Sequence, residues 1–482
     1  MINGKEYINR MDALQSEIWI KGEKCSGKLT ELAPFKGILK SKAVLYDYQC
    51  QEENRELFRY SHPDGKGEYG FSYHQPLSLE DLINRRKATQ EWARMSAGLM
   101  GRSPDYMNTL LMALGTAAPH FAKDRQEFGD NIKRLYERAR DEDLSITHTF
   151  INPQVNRSMG HYLNSSTVTA AKVIEENKEG IVIQGARLLA TQGGLTDELL
   201  VLPAGGPSFD DSYIFGFMIP ANTKGLKFLC RESFCYSDCT FDHPLASQFE
   251  ETDSIVVFDQ VLVPWDCIFV YKNLEAMSTV DEETGMYAFL QYQSVCRQIV
   301  KLEYILGLCE MIGDAIQIQE YEHVKLKMSE IINALEIMKA LLLSSEVNSQ
   351  PNRYGTVIPA STPLKAAIQY FPGVYPRLIE IIEMLGASGL ISIPTQKDFE
   401  SSEIKEDLER YLQGANIEAK ERVRLFRMAW DLSMSAFGSR QTQFERFFFG
   451  DPVRLQAVHY NSYPMQPFVD QVQEFLKRIE KN

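Results

Sequence analysis

A chain of 482 residues has room for two or three domains with substantial cores, and its composition, 44% hydrophobic and 24% charged, is that of a water-soluble globular protein. A formal charge of −14 without a long basic block disfavours nucleic acid and anionic membranes as partners. The polar start Met1–Tyr7 lacks a signal-peptide core, no apolar run is long enough to span a bilayer, and eight cysteines lie scattered without a disulfide framework, so a cytoplasmic protein is expected.

Residues 1 to about 75 are mixed. Glu17–Ile20 followed by Lys21-Gly22-Glu23 reads as a short hairpin, and Asp64-Gly65-Lys66-Gly67 as a turn. Ser78 can cap a helix with Asp81 at its third position, and helical periodicity then runs to about Asp143, broken at Gly101–Pro104 and again near Pro119. From His148 to about Tyr271 the pattern is β: Ile181 and Ile183 alternate with Val182 and Gln184, and Phe215, Phe217 and Ile219 alternate within Tyr213–Ile219. The Gly-rich stretch Pro203–Tyr213 suits a mobile lid or a plain surface loop. From about Thr284 the chain turns helical again, with long helices over Tyr287–Gln319 and Glu320–Ser345. After the loop Asn348–Pro363 come shorter helices and a long one from Ile417 to about Phe449. The domains expected are therefore 1–147, mostly helical; 148–278, β; and 279–482, a helix bundle.

Two stretches concentrate polar chemistry. Ile146–Arg157 (Ile-Thr-His-Thr-Phe-Ile-Asn-Pro-Gln-Val-Asn-Arg) sits where helix gives way to strand, and Pro153 forces Asn152 out of helical geometry. An extended polar junction of this kind suits a planar hydrogen-bonding cofactor, and it also suits an ordinary linker. Upstream, Gly101-Arg102-Ser103-Pro104-Asp105-Tyr106 puts a guanidinium and a phenol beside a helix start. That arrangement fits an anionic or phenolic ligand, or an Arg–carboxylate pair beside a core Tyr. The order Cys230, Cys235, Cys239, His243 can in principle bind zinc, but its spacing is looser than that of structural zinc sites and its neighbours are aromatic, so no metal is expected.

Together these stretches resemble the oxygenase component of the two-component, flavin-dependent 4-hydroxyphenylacetate 3-monooxygenases. The resemblance extends through Ala190-Thr191-Gln192, Pro244–Ser247, Ile255–Asp259, Val263-Pro264-Trp265, Tyr375-Pro376-Arg377, Phe444–Phe447 and Gly450-Asp451-Pro452. It implies an α+β, acyl-CoA dehydrogenase-like fold, with an N-terminal helical domain, a middle β-barrel domain and a C-terminal bundle, assembled as a homotetramer. It also implies a reaction: reduced FAD from a separate flavin reductase, together with O2, places one oxygen on the ring carbon beside a phenol hydroxyl. By this resemblance Arg102, Tyr106 and His148 surround that hydroxyl. Arg102 would stabilise the phenolate, Tyr106 orient it, and His148 accept or relay the proton.

The flavin residues the resemblance implies are His148, Thr149, Phe150, Gln154, Val155, Asn156, Arg157, Thr191, Gly450, Asp451, Pro452 and Val453. No Gly-x-Gly-x-x-Gly follows a strand, so a Rossmann-type site is not expected and the flavin should behave as a loosely held co-substrate. Pro203–Ser208, which the resemblance places at the substrate's acid end, contains no cation. Two rivals share the pattern. A 4-hydroxybutyryl-CoA dehydratase (vinylacetyl-CoA isomerase) needs an iron–sulfur cluster held by three Cys and one His, yet Arg94–Met100 has no Cys and Cys296 and Cys309 have no accompanying His. A catalytically silent flavin-binding protein would not need all three phenol-facing residues.

Overall fold

The computed structural model describes residues 1–61, 65, 67–154, 168–204 and 210–480. Its elements follow the order helical, β, helical. Ser78 caps the helix Leu79–Met95 through the Asp81 amide, and the Asp81 carboxylate returns to the Ser78 hydroxyl at 2.9 Å. That helix ends five residues before Met100, because Ala97 and Gly98 turn through positive φ. Pro104 then occupies the first turn of the next helix, Pro104–Thr116, where its missing N–H costs nothing. A third helix, Gln126–Glu142, closes with Asp143 in the left-handed conformation.

The middle region is a pair of sheets. The six-stranded one orders Glu23–Lys24, Ile18–Ile20, Leu226–Cys230, Asp253–Pro264, Gly180–Thr191 and Lys172–Glu176; the four-stranded one orders Ile268–Tyr271, Phe215–Pro220, Glu198–Val201 and Ile146–Thr149. The expected barrel is thus, among the described residues, two separately hydrogen-bonded sheets, and the N-terminal hairpin joins the larger of them through a parallel pairing of Ile18 with Phe228. Inward side chains such as Phe217, Phe228, Val256 and Phe258 are fully buried between the sheets, as burial of alternate positions requires.

The bundle is built on Met286–Ala315, which packs against Glu322–Val347 and Ser361–Gly386 and also against both helices flanking Arg102. Two readings of this region need correcting. Ser361–Gly386 is one 26-residue helix with Pro372 and Pro376 inside it, rather than several shorter ones. Burial of Phe371, Tyr375 and Leu378 outweighs the lost backbone bonds. The single helix read from Ile417 to Phe449 is two, Ala419–Ser433 and Ala436–Phe447, since the Ser435 hydroxyl caps a new start through the Gly438 amide at 3.0 Å. The result is the acyl-CoA dehydrogenase-like plan of helices, β layers and bundle. Among the described residues no helix is long and apolar enough to cross a membrane.

Candidate active site

The break between Met95 and Pro104 forms a turn whose tip is Gly101-Arg102. Gly101 is required there because a Cβ would lie 2.2 Å from Cζ of Phe444. The close approach brings the bundle helix Ala436–Phe447 against the turn. The Arg102 guanidinium is then sandwiched, its carbon 4.6 Å from the ring centroid of Tyr106 and 4.6 Å from that of Phe448. Tyr106 follows one helical turn later on Pro104–Thr116, and its ring meets Phe448 at 5.4 Å, edge to face.

His148 comes from the opposite wall, on Ile146–Thr149, a strand held in parallel register against Glu198–Val201 and buried along its whole length. Its Nε2 lies 3.4 Å from Nη2 of Arg102 and its Nδ1 3.2 Å from Sδ of Met107. A guanidinium only donates, so the hydrogen-bond network assigns a lone pair to Nε2 and the proton to Nδ1. Burial, reinforced by the Arg102 charge, holds the imidazolium pKa well below its ordinary value, so the ring is neutral at neutral pH. Burial also raises the Tyr106 phenol and keeps it protonated, a hydrogen-bond donor.

Arg102 itself is only 9% exposed, yet among the described residues its guanidinium has no carboxylate partner, and its Nε has no hydrogen-bond partner at all. Its side-chain contacts are long ones, to the Gly101 carbonyl at 3.4 Å and to His148. Burying a cation without a counter-ion is expensive, and among the described residues Arg102 lacks even a set of backbone carbonyls like that of the buried Arg85, which bonds those of Phe71, Ser72 and His74.

Arg102, Tyr106 and His148, separated in the sequence, therefore meet in one buried cluster. The Phe150 ring lies against His148, tilted by 38° with the centroids 4.1 Å apart. The hydroxyls nearby are already engaged: Thr149 donates to the Leu188 carbonyl at 2.8 Å, and Thr191 donates to Asp253 at 2.9 Å. Gln154 is the last described residue of its loop; Val155, Asn156 and Arg157 lie outside the described residues, as do residues 205–209 of the loop read as a lid. Gly450 turns the chain two residues beyond Phe448 with φ +109°, where a Cβ would meet Nη2 of Arg454 at 2.6 Å. Asp451 then caps, and Pro452 opens, the helix Pro452–Ser462, with Val453 exposed. Cys235 and Cys239 instead donate to the Ser237 carbonyl and to Gln396, both at 3.3 Å. Sequence reading missed Phe448 and Met107 as neighbours of Arg102 and His148, since their contacts depend on elements far apart in the chain.

An arginine without a counter-ion, a neutral histidine and a protonated tyrosine, brought together between β sheets and a helix bundle, are chemically suited to an aromatic anion. Residues 3–270 match the family described as 4-hydroxyphenylacetate 3-hydroxylase N terminal, and residues 277–477 the corresponding C-terminal family. A probable 4-hydroxyphenylacetate 3-monooxygenase of Bacillus subtilis is 47% identical over 99% of this chain and 98% of its own. A crystal structure of the oxygenase component of 4-hydroxyphenylacetate 3-monooxygenase, complexed with FAD and 4-hydroxyphenylacetate, superposes with TM-score 0.95 at 39% identity, covering 100% of this chain and 99% of that one. A 4-hydroxybutyryl-CoA dehydratase from N. maritimus shares the fold alone, with TM-score 0.88 at 16% identity over 99% of this chain and 95% of that one. The chain belongs to the 4-hydroxyphenylacetate 3-hydroxylase family.

Proposed function

We propose that this protein is the oxygenase component of a two-component monooxygenase that converts 4-hydroxyphenylacetate to 3,4-dihydroxyphenylacetate with reduced FAD and O2. The observation that carries the reading is the buried Arg102 guanidinium without a counter-ion, facing a neutral His148. What supports a flavin is the pairing of the His148 and Phe150 rings, which suits a planar ring, and the φ of +109° at Gly450, which lets main chain approach a ligand closely. His148, Thr149, Phe150, Gln154, Thr191 and Gly450–Val453 would hold FAD, delivered in reduced form by a flavin reductase. Bound reduced FAD supplies two electrons to O2, so that one oxygen atom enters the ring and the other leaves as water.

The protein's part is electrostatic. A phenol ionises near pH 10 in water, and its ring carbon becomes nucleophilic only as the O–H proton departs. Arg102 stabilises the phenolate and the Tyr106 hydroxyl orients it. The Nε2 lone pair of His148 takes the phenolic proton. Because the imidazolium is disfavoured, His148 returns that proton to the same oxygen as the hydroxylated ring sheds its C–H proton and becomes aromatic again. The rings of Tyr106, Phe444 and Phe448 keep water from the guanidinium, which strengthens each of these interactions.

We also propose a homotetrameric, cytoplasmic enzyme. The helix Gln466–Ile479 has no buried residue, and Phe468, Val472, Phe475, Leu476 and Ile479 on it are each more than half exposed. An apolar stripe of that length on an isolated helix calls for a partner surface, and light scattering that gave a monomer at micromolar concentration would remove this part of the proposal. The activity is tested by supplying reduced FAD, O2 and 4-hydroxyphenylacetate. The catechol is the expected product, and hydrogen peroxide alone would defeat the proposal.

A further inference from the structure

Arg102 has no side-chain carboxylate, but its main chain has one. The Glu251 carboxylate accepts from the Gly101 amide at 2.9 Å and from the Arg102 amide at 2.8 Å, and Glu251 is completely buried. Two successive amides bound by one carboxylate fix the peptide plane between them. The Arg102 carbonyl is held from the other side by Nε2 of Gln192 at 3.3 Å, and that same amide donates to Glu251 at 2.9 Å. Gln192 is in turn oriented by Lys42 at 3.0 Å. The backbone of Arg102 is therefore clamped on both its donor and its acceptor.

The charge of Glu251 is answered elsewhere. Arg440, from the bundle helix Ala436–Phe447, reaches Glu251 at 3.3 Å and Asp253 at 2.8 Å. Asp253 also accepts the Thr191 hydroxyl. One arginine of the bundle thus bridges two carboxylates of the β region, one holding the phenol-side turn and the other holding Thr191, and Arg231 adds a second cation on Asp253 at 3.2 Å. With Glu251 so paired, the Arg102 guanidinium keeps its positive charge for an incoming anion. A carboxylate placed against the guanidinium itself would have cancelled that charge.

We infer that Glu251 is a positioning residue for the hydroxylation, clamping the Gly101 and Arg102 amides so that the guanidinium is presented between Tyr106 and Phe448 to the phenol. The inference rests on the phenol-binding reading of Arg102 proposed above. In Glu251→Gln one carboxamide end faces an amide N–H and a backbone bond is lost. Glu251→Asp keeps the charge but withdraws it by one methylene, and serves if the first variant does not fold.

The test is a double-mutant cycle with Arg102→Ala, reading the KM for 4-hydroxyphenylacetate, the fraction of O2 consumption that yields catechol, and the dissociation constant of FAD. Glu251→Gln should raise the phenol KM about tenfold, the effect of one lost charge-assisted hydrogen bond, and lower the catechol fraction while FAD affinity stays unchanged. Added to Arg102→Ala, it should change the phenol KM by less than about twofold, because there is no guanidinium left to position. A crystal structure of either Glu251 variant should show Arg102 displaced from the Tyr106–Phe448 sandwich. Full multiplicative losses in the double variant, or an unchanged phenol KM in a folded Glu251 variant, would overturn the inference. If Arg102→Ala alone behaves as wild type, the phenol-binding reading itself has failed, a separate outcome.

Discussion

Two buried arginines share one pair of aromatic rings and differ in whether a carboxylate answers their charge. Arg297 lies 5.6 Å from the Phe444 centroid and 5.9 Å from that of Phe448; Arg102 lies 5.9 Å and 4.6 Å from the same two rings. Arg297 forks onto Glu445 at 2.6 and 3.0 Å, with Lys301 on the same carboxylate and Gln298 beside it at 3.2 Å. Its Nη1 also caps the Gly98 carbonyl at 2.9 Å, and Gln441 holds the Leu99 carbonyl at 3.0 Å. That arginine has its counter-ion within its own protein, although its Nε, like that of Arg102, has no hydrogen-bond partner among the described residues, and it fastens the bundle to the turn that Arg102 tips. Arg102, three residues beyond Leu99, is left without an anion. One arginine is tied into the fold; the other is buried at a cost in stability, and in the function proposed its charge waits for a ligand.

The sharpest way to break this contrast is to unpair the satisfied site. Glu445→Ala strands Arg297 and Lys301 in the core and is expected to cost about 3–5 kcal/mol, read by denaturant unfolding. Arg102→Ala, by contrast, removes an unpaired cation and should cost no more than about 1 kcal/mol. Acid probes the same network. Burial raises the Glu445 carboxyl, but Arg297 and Lys301 override it and hold the pKa down at about 2. A depressed folded-state value means the contribution is whole above the ordinary carboxylate pKa of about 4.3 and is lost as pH falls toward 2. Unfolding free energies measured across that window should decline in wild type and much less in Glu445→Gln.

Smaller effects lie in the pocket. His148→Ala is expected to lower hydroxylation about tenfold, the loss of one acid–base contact, and to weaken FAD binding as well, since the strand ending in Thr149 leads directly to Phe150. Because burial and Arg102 keep His148 neutral, phenol binding by wild type should show no titration near pH 6.5, whereas Arg102→Ala should move the His148 titration up toward it. Tyr106→Phe should be the mildest, a few-fold at most, since Arg102 would still meet the phenolate. Steady-state pH profiles and catechol yields distinguish the three.

Much of this was legible locally. Ser78 and Asp81 announce their helix, Gly101 and Pro104 announce the turn, and Pro153 marks the junction near His148, because each acts on its own backbone. The helix Ser361–Gly386 was less legible: Pro372 and Pro376 locally oppose a helix, and the burial of Phe371 and Tyr375 against neighbouring helices keeps it whole. The residues that make Arg102 usable were not legible. Glu251 lies 149 positions from Arg102 and Phe448 far beyond that, and neither has a spacing or motif that links it to the turn. Their roles exist only once three regions of the chain converge.

The central claim is that the buried, unpaired charge of Arg102 is there to receive a phenolate, and the most direct measurement is the partition of O2 between catechol and hydrogen peroxide in Arg102→Ala. With reduced FAD and 4-hydroxyphenylacetate supplied, the folded variant should bind FAD as wild type does, yet form catechol at least about tenfold less and release peroxide instead. A catechol yield equal to that of wild type would contradict the account.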